Sequence, residues 1–160
     1  MELVEGRPQD KRIDKEERVY DLLDQLNIDY QRIDHEEANT MEICLEIEKT
    51  LKSTICKNLF LVNSNKSQYY LLMLKENKKF KTKMISKQIN SSRLSFGSDE
   101  KMLEYLDITP GSVSLLGLMN DHDFKVQLLM DKDLLQDEYL GCHPCINTSS
   151  LRIKMKDVFE

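Results

Sequence analysis

The order of apolar and polar positions predicts helices and strands that alternate irregularly along the chain. Apolar residues recur at every third or fourth position within 15–25, which predicts an amphipathic helix. Residues 28–34 are typical of a short strand. Asn39 and Glu42 have the spacing of a helix N-cap and its reciprocal acceptor, so a second helix is expected from Asn39 to about Lys49.

Two strongly apolar segments, 55–62 and 68–74, are separated by the polar turn 63–67, which predicts a hairpin of buried strands. Lys57 lies within the first of these strands and alternates with apolar residues. A buried ammonium group requires an anion or hydrogen bonds to offset its lost hydration. We therefore expect a carboxylate or an anionic ligand beside Lys57. The alternative is that Lys57 lies at a strand end, where its ammonium group reaches solvent.

The central part of the chain predicts further short elements. A helix is expected over 83–89 and a strand over 93–96, and Ser98 has the sequence context of an N-cap for a helix that ends near Leu106. Apolar residues in 113–119 and 124–130, separated by a polar turn, predict a second hairpin.

The C-terminal part predicts a short helical stretch near Leu134, a polar loop over 141–148, a last strand over 151–153 and a final helical turn. Hairpins mixed with unevenly placed helices favour an α+β domain around a mixed or antiparallel sheet. With 160 residues the chain is expected to form one domain over 15–160, preceded by an N-terminal extension over 1–14.

Composition predicts a soluble, cytoplasmic protein. No apolar segment approaches the roughly 20 residues that cross a bilayer, and the first residues lack the apolar core of a signal peptide. The four cysteines are too few for a disulfide framework in a chain of this size, so reduced thiols are expected.

Charge is distributed unevenly. Residues 1–48 contain fifteen acidic and six basic residues, whereas 75–93 contain seven basic residues and one acidic residue. Such a basic segment is typical either of a phosphate-binding surface or of a solvated helix face. Its members are Lys75, Lys78, Lys79, Lys81, Lys83, Lys87 and Arg93.

The segment 141–148 holds the most reactive side chains. Cys142 and Cys145 have the spacing of a redox pair, although such pairs usually precede a helix near the start of a domain, and a zinc site would need more ligands than the segment offers. His143 is a candidate acid, base or hydrogen-bonding group. Asn147 and Thr148 add donors, so the loop is suited to a polar ligand. The chain has no phosphate-binding loop, serine elbow or zinc-protease motif.

Four segments together resemble a known family, and they are 55–61, 93–97, 109–121 and 143–148. On these segments the chain is similar to the YbaK-type aminoacyl-tRNA deacylases, and most closely to the stand-alone Ala-tRNA(Pro) deacylases related to the editing insertion of prolyl-tRNA synthetase. The segments lie in the same order as in that family, and the resemblance extends over residues 15–155.

The resemblance implies an editing-domain fold and hydrolysis, in trans, of the ester that joins a wrong amino acid to the terminal adenosine of proline tRNA. No metal or cofactor is implied, and prolyl-tRNA synthetase is a conceivable partner. Lys57 would bind a phosphate or orient the ester, Asn58 would add a hydrogen bond, and His143 would position the ester or the ribose. The basic segment 75–93 would contact the acceptor end.

An editing pocket for alanine must exclude the larger proline by size, which requires tight walls. The residues expected to bind the substrate are Met41, Leu45, Gly111, Ser114, Leu116, Gly117, Leu118, Asn147 and Thr148. The chain departs from the family pattern at Ala38–Asn39 and at Leu115, where relatives have an apolar pair and a proline. Esters of cysteine or serine therefore stay open as substrates, as does a catalytically inactive module that binds tRNA ends or nucleotides.

Overall fold

The computed structural model describes residues 2–37, 41–53, 56–75 and 79–158, and the side chain of Met41 lies outside that description. Within these ranges eight strands form two four-stranded sheets, with five α-helices and two 3-10 segments around them. The strands are β1 (Val4–Glu5), β2 (Tyr30–Asp34), β3 (Lys57–Val62), β4 (Tyr69–Leu74), β5 (Ser95–Phe96), β6 (Val126–Met130), β7 (Tyr139–Cys142) and β8 (Ser149–Lys154). The helices are α1 (Asp14–Gln25), α2 (Met41–Leu51), α3 (Thr82–Gln88), α4 (Asp99–Leu106) and α5 (Met155–Val158), and the 3-10 segments span Leu115–Asn120 and Lys132–Gln136.

The two sheets differ in topology. The first has the order β1-β2-β8-β7 and is antiparallel throughout. The second has the order β5-β3-β4-β6, in which β4 and β6 are parallel and the other pairs are antiparallel. This arrangement confirms a single α+β domain with mixed and antiparallel sheets and flanking helices. Among the described residues no helix is long and apolar enough to cross a membrane.

The main core lies between α1, α4 and the inner faces of both sheets, where Tyr20, Phe60, Leu71 and Leu151 are buried. Because strand residues alternate between faces, the odd-numbered residues of β3 point away from this core. There Leu61, Leu72 and Leu94 pack with the apolar side of α3. Because helices cover both faces of the β3–β4 hairpin, both faces of these strands are apolar.

Several local predictions are confirmed. α1 and the β3–β4 hairpin lie where the sequence places them, within one or two residues. The hydroxyl of Ser98 accepts a hydrogen bond from the backbone N–H of Lys101 at 3.2 Å, as expected of an N-cap. The predicted N-cap Asn39 lies outside the described residues.

The second predicted hairpin is wrong. Its first strand is the 3-10 segment Leu115–Asn120, in which the hydroxyl of Ser114 accepts from the N–H of Leu116 at 3.2 Å. A Cβ on Gly117 would lie 2.3 Å from Cδ1 of Ile108, so a larger residue here would require that side chain to move. The second strand begins at Val126 rather than Phe124 and pairs in parallel with β4.

The predicted polar loop over 141–148 is shorter than expected, because β7 extends to Cys142. At the other end of the chain, β1 pairs with β2, so the segment 1–14 contributes a strand to the first sheet. Arg7 in the same segment forms ion pairs with Glu17 and Asp21 of α1.

Candidate functional site

A cavity of about 190 Å³ opens where β3 of the second sheet approaches β7 and β8 of the first. The two cysteines of the cavity are buried, whereas Gly111 is exposed. The cavity therefore extends from the surface at Gly111 inward to the two thiols. It is lined by Cys56, Asn58, Gly111, Val113, Cys142, His143 and Ser150.

His143 is held in one tautomer. Its Nδ1 lies 2.8 Å from the backbone oxygen of Ser149, and because a carbonyl oxygen only accepts, Nδ1 must carry the proton. Burial lowers the pKa of His143, the hydrogen bond to Ser149 opposes this, and nearby His35 lowers it further. The ring is therefore neutral at neutral pH, and its Nε2 is a hydrogen-bond acceptor.

A second histidine stands behind the cavity. Nδ1 of His35 lies 2.7 Å from the carbonyl oxygen of Glu36, so Nδ1 is the donor. In the neutral ring Nε2 then accepts the hydroxyl proton of Ser150, at 2.8 Å. The oxygen of Ser150 lies 3.5 Å from Nδ1 of His143, and the two rings are 6.2 Å apart. Ser150 thus connects His35 to His143.

The carbonyl that holds His143 belongs to a serine whose side chain is itself anchored. Ser149 donates its hydroxyl to Asp34 at 2.5 Å, and Arg12 donates to the same carboxylate at 3.1 and 3.2 Å. Burial alone would raise the pKa of Asp34, but hydrogen bonds from Arg12, Ser149 and Arg32 together lower it to about 2. This ion-paired group is called the anchored region below, and it comprises Arg12, Arg32, Asp34, Ser149 and Glu16.

Asn58 is the cavity residue on β3. Its side-chain amide lies 3.4 Å from the carbonyl oxygen of Cys56, a weak contact that leaves the amide able to bind a ligand. Burial raises the pKa of the Cys56 thiol to about 11, so that group is protonated. Asn58 is thus the neutral hydrogen-bonding side chain that β3 contributes to the cavity, which His143 lines as well.

Gly111 narrows the mouth of the cavity. Its φ of +91° favours glycine, and a Cβ at this position would lie 3.8 Å from Nδ2 of Asn147. The backbone oxygen of the adjoining Thr148 accepts the N–H of His35 at 2.9 Å. The segment 147–148 thus lies next to Gly111 and His35, and its role as a polar donor segment stays a prediction.

Lys57 does not have the environment that the sequence predicts. Its side chain is exposed, and it shares the outer face of β3 with Leu59 and Leu61, whereas Asn58 faces the cavity. Among the described residues, β5 pairs with Leu61 and Val62 and not with the first half of β3. The prediction of a buried lysine is wrong, and the strand-end alternative is confirmed.

The expected apolar walls lie away from the cavity. Leu116 and Leu118 line a separate apolar cavity of about 440 Å³ beside α1, and Leu45 on α2 is 56% exposed. Ser114 is fully buried, and Gly117 packs on Ile108. The side chain of Met41 lies outside the described residues. Of the nine predicted substrate residues, Gly111 lines the cavity, and the side chain of Asn147 lies near Gly111.

The basic residues of 75–93 face solvent. Lys75 is half-buried, with its Nζ 3.5 Å from Asp137, and Lys78 lies outside the described residues. The segment 79–93 contains five basic residues and no acidic residue. All five are exposed, and they are Lys79, Lys81, Lys83, Lys87 and Arg93.

The two cysteines around His143 have the wrong environment for redox chemistry. Both are free and buried, and burial raises the pKa of the Cys145 thiol to about 12 and that of Cys142 further. Reactive cysteines need a lowered thiol pKa. Among the described residues no cluster of three or more histidine, cysteine or carboxylate side chains is arranged to hold a metal ion.

Sequence patterns did not identify His35, Ser149 and Ser150 as parts of the site. His35 and Ser150 are 115 positions apart and meet because β2 pairs with β8, which aligns Ile33 with Ser150. The available signal was the pair of hydroxyls directly before the last predicted strand. Such residues often bond to neighbouring polar groups rather than to the strand itself.

Known proteins resemble the chain over most of its length. A family model described as the aminoacyl-tRNA editing domain matches residues 35–160. The prolyl-tRNA editing protein ProX of Acetoanaerobium sticklandii is 32% identical over 146 residues, which cover 91% of this chain and 89% of that protein. Prolyl-tRNA synthetase associated domain-containing protein 1 of Danio rerio is 25% identical over 150 residues, covering 92% and 81%.

A solved structure has the same fold. It is described provisionally as a trans-editing enzyme for prolyl tRNA synthetase, and it superposes with a TM-score of 0.72 at 15% identity over 93% of this chain and 92% of that one. The match of the family model extends over more than half of the sequence and includes the whole cavity. The chain belongs to the aminoacyl-tRNA editing domain family and is an aminoacyl-tRNA deacylase.

Proposed function

We propose that the chain hydrolyses the ester of Ala-tRNA(Pro) in trans, and that the aminoacyl end of the substrate enters the cavity beside His143. The observation that carries this proposal is that a neutral histidine, whose Nδ1 is held by the Ser149 carbonyl, lines a small cavity together with Asn58. The relatives named for prolyl-tRNA editing support proline tRNA as the carrier. The cytoplasm, where translation takes place, is the expected location.

The chemistry needs a held ester, a positioned water and a proton acceptor. Water adds to the carbonyl carbon while one of its protons passes to Nε2 of His143. The carbon–oxygen bond to the ribose then breaks, and the ribose oxygen leaves with that proton. The amide of Asn58 is suited to donate to the carbonyl oxygen, whose negative charge grows during the addition. Every step uses groups of this chain and of the substrate, so we propose that no metal takes part.

The size of the cavity restricts what enters it. Sites for complete small molecules commonly enclose ~300–1,000 Å³, so a cavity of about 190 Å³ is suited to the aminoacyl group and not to the terminal nucleotide as well. A small cavity also favours alanine over proline, as the double-sieve argument requires. Lys57 is exposed at the start of β3, and we propose that it contacts a phosphate outside the cavity.

The test is deacylation of tRNA(Pro) charged separately with alanine, cysteine, serine or proline. We expect alanine to be released fastest, proline to stay attached, and the rate with alanine to be unchanged by a chelator such as EDTA. A catalytically inactive module would release none of the four above the spontaneous rate, and that result would overturn the proposal. Faster release of cysteine or serine than of alanine would identify those esters as the substrates.

Prolyl-tRNA synthetase is the proposed partner, because it produces the mischarged tRNA. Adding the synthetase to the assay measures whether the substrate passes directly between the two enzymes. A trap of inactive His143→Ala protein in excess should then leave the rate unchanged, whereas diffusing substrate would be captured by the trap.

A further inference from the structure

An exposed aromatic side chain packs against the basic segment 79–93. Phe96 on β5 is 63% exposed, although a phenylalanine loses favourable free energy when it stays in water. Its ring is 5.8 Å from the ring of Phe80, which packs in the apolar cluster under α3. Exposed aromatic rings among cations are typical of surfaces that bind single-stranded nucleic acid.

The position of Phe96 is fixed by the fold. Gly97 donates its N–H to the carbonyl oxygen of Phe60 at 2.9 Å, and a Cβ on Gly97 would lie 2.4 Å from the Phe60 ring. Because β5 is held this closely against β3, Phe96 lies directly opposite Leu61 and on the same outer face. Its exposure is therefore not the result of a loose chain end.

Cations lie on one side of Phe96, whereas Asp99 and Glu100 of α4 follow it in the sequence. Phe80 lies between Lys79 and Lys81 in the sequence, and the basic residues of 79–93 continue along α3. Lys57 lies on the same face of β3, four residues from Leu61. A polyanion with unpaired bases is complementary to this surface in both charge and chemistry.

The cavity and Phe96 are linked through β3. Asn58 and Leu61 are three strand residues apart, which is ~10 Å along the strand at ~3.3 Å per residue. Because strand residues alternate between faces, Asn58 points to the cavity and Leu61, with Phe96 beside it, to the opposite face of the sheet. An RNA end whose last residue lies at the mouth of the cavity would therefore pass around the start of β3, where Lys57 is exposed, to bring its preceding bases to Phe96.

We infer that Phe96, supported by Phe80, is a stacking site for the unpaired bases at the 3′ end of the tRNA. The inference rests on the proposed function, because it takes the tRNA end as the molecule that enters the cavity. Lys57 and the basic residues of 79–93 contact the phosphates, and Phe96 contacts a base whatever its identity. The site would therefore add affinity without sequence preference.

The chain offers a matched control. Phe124 is 90% exposed but lies beside Asp121 and Asp123, in an acidic turn. Binding should be measured with uncharged tRNA(Pro) and with the same RNA lacking its unpaired 3′ nucleotides. Phe96→Ala should weaken binding of the intact RNA about 5- to 150-fold and leave the truncated RNA unaffected. Phe124→Ala should change neither.

The absence of tryptophan from the chain permits a second, direct measurement. Phe96→Trp keeps an aromatic ring, so affinity should be retained and the fluorescence of this single tryptophan should change when intact RNA binds. Phe124→Trp should show no change. Equal losses for intact and truncated RNA with Phe96→Ala, or no response from Phe96→Trp, would overturn the stacking site.

These outcomes are independent of the proposed function. Binding is measured with uncharged RNA and requires no hydrolysis. A chain that releases no amino acid would therefore refute the proposed function without deciding whether the stacking site exists. Conversely, an active deacylase that binds intact and truncated RNA equally well refutes the stacking site alone.

Discussion

At the ends of β2 and β8, arginines and carboxylates meet in hydrogen-bonded pairs, whereas the segment 79–93 carries five exposed cations and no carboxylate. In the anchored region each charge has a partner of opposite sign within the fold. The basic segment has no acidic residue of its own to neutralise its charge.

Charge has a different role in the anchored region and in the basic segment. The anchored region ends at Ser149, whose carbonyl holds Nδ1 of His143, so its pairs fix a group at the cavity. The basic segment is suited to attract a polyanion over a distance, an effect that salt weakens. We therefore expect changes in the first region to alter the rate of the chemical step, and changes in the second to alter binding.

The strongest test of this division is His143→Ala. Loss of the proton acceptor should lower kcat by ~10²–10⁴-fold and leave the affinity for uncharged tRNA unchanged, because the cavity holds only the aminoacyl end. Single-turnover deacylation and a binding titration measure the two effects. His122→Ala, which removes an exposed histidine, is the control. Equal losses in rate and affinity would contradict the division.

The basic segment should show the opposite behaviour. Replacing Lys83 and Lys87 together by glutamate should raise KM by roughly tenfold, leave kcat nearly unchanged and lower the salt dependence of binding by roughly one unit of slope per contact. Titrations at several salt concentrations measure the slope. Replacing Lys125 and Lys132 together by glutamate, at two exposed lysines outside the segment, controls for net charge. An unchanged slope would remove these lysines from the interface.

His35 tests whether the anchored side acts through His143. His35→Ala removes the acceptor of the Ser150 hydroxyl and should lower kcat about 3- to 10-fold, the effect of one lost hydrogen bond, with KM unchanged. In a His143→Ala background the same change should have no further effect, since residues that act as a unit are not additive. A full additional loss in that background would show that His35 acts elsewhere.

Local features of the fold could be predicted because short-range chemistry determines them. α1 follows from its apolar spacing, and the Ser98 cap follows from a hydroxyl three residues before its N–H partner. The strand predicted over 113–119 was wrong because an apolar run of that length suits a strand or a buried turn equally well. The close approach of Gly117 to Ile108, which the sequence does not show, favours the buried turn.

Only part of the site could be predicted, because long-range contacts are again not visible in the sequence. His143 stands out among loop residues, but its partners Ser150 and His35 come together only through the pairing of β2 with β8. Lys57 was expected to be buried because its neighbours are apolar. Its exposure depends on where β5 pairs with β3, and that pairing depends on the Phe60–Gly97 contact.

The smallest expected effect concerns stability in acid. The pKa of Asp34 is about 2 in the fold, below its ordinary value of 3.8, so the folded state binds a proton at this site less readily than the unfolded state. The stabilisation that Asp34 provides is therefore complete above pH ~4 and is lost as the pH falls through 2. Because the side chain is 44% exposed, the effect should be modest.

Urea unfolding of the native chain and of Asp34→Asn between pH 7 and pH 2 measures this contribution. The native chain should be the more stable of the two above pH ~4, and the difference should shrink as Asp34 takes up its proton. Asp123→Asn, which removes a carboxylate from an exposed turn, corrects for the change in net charge. If the difference stays constant down to pH 2, the ion pairs of Asp34 do not stabilise the fold, and the anchored region holds His143 through Ser149 and Ser150 alone.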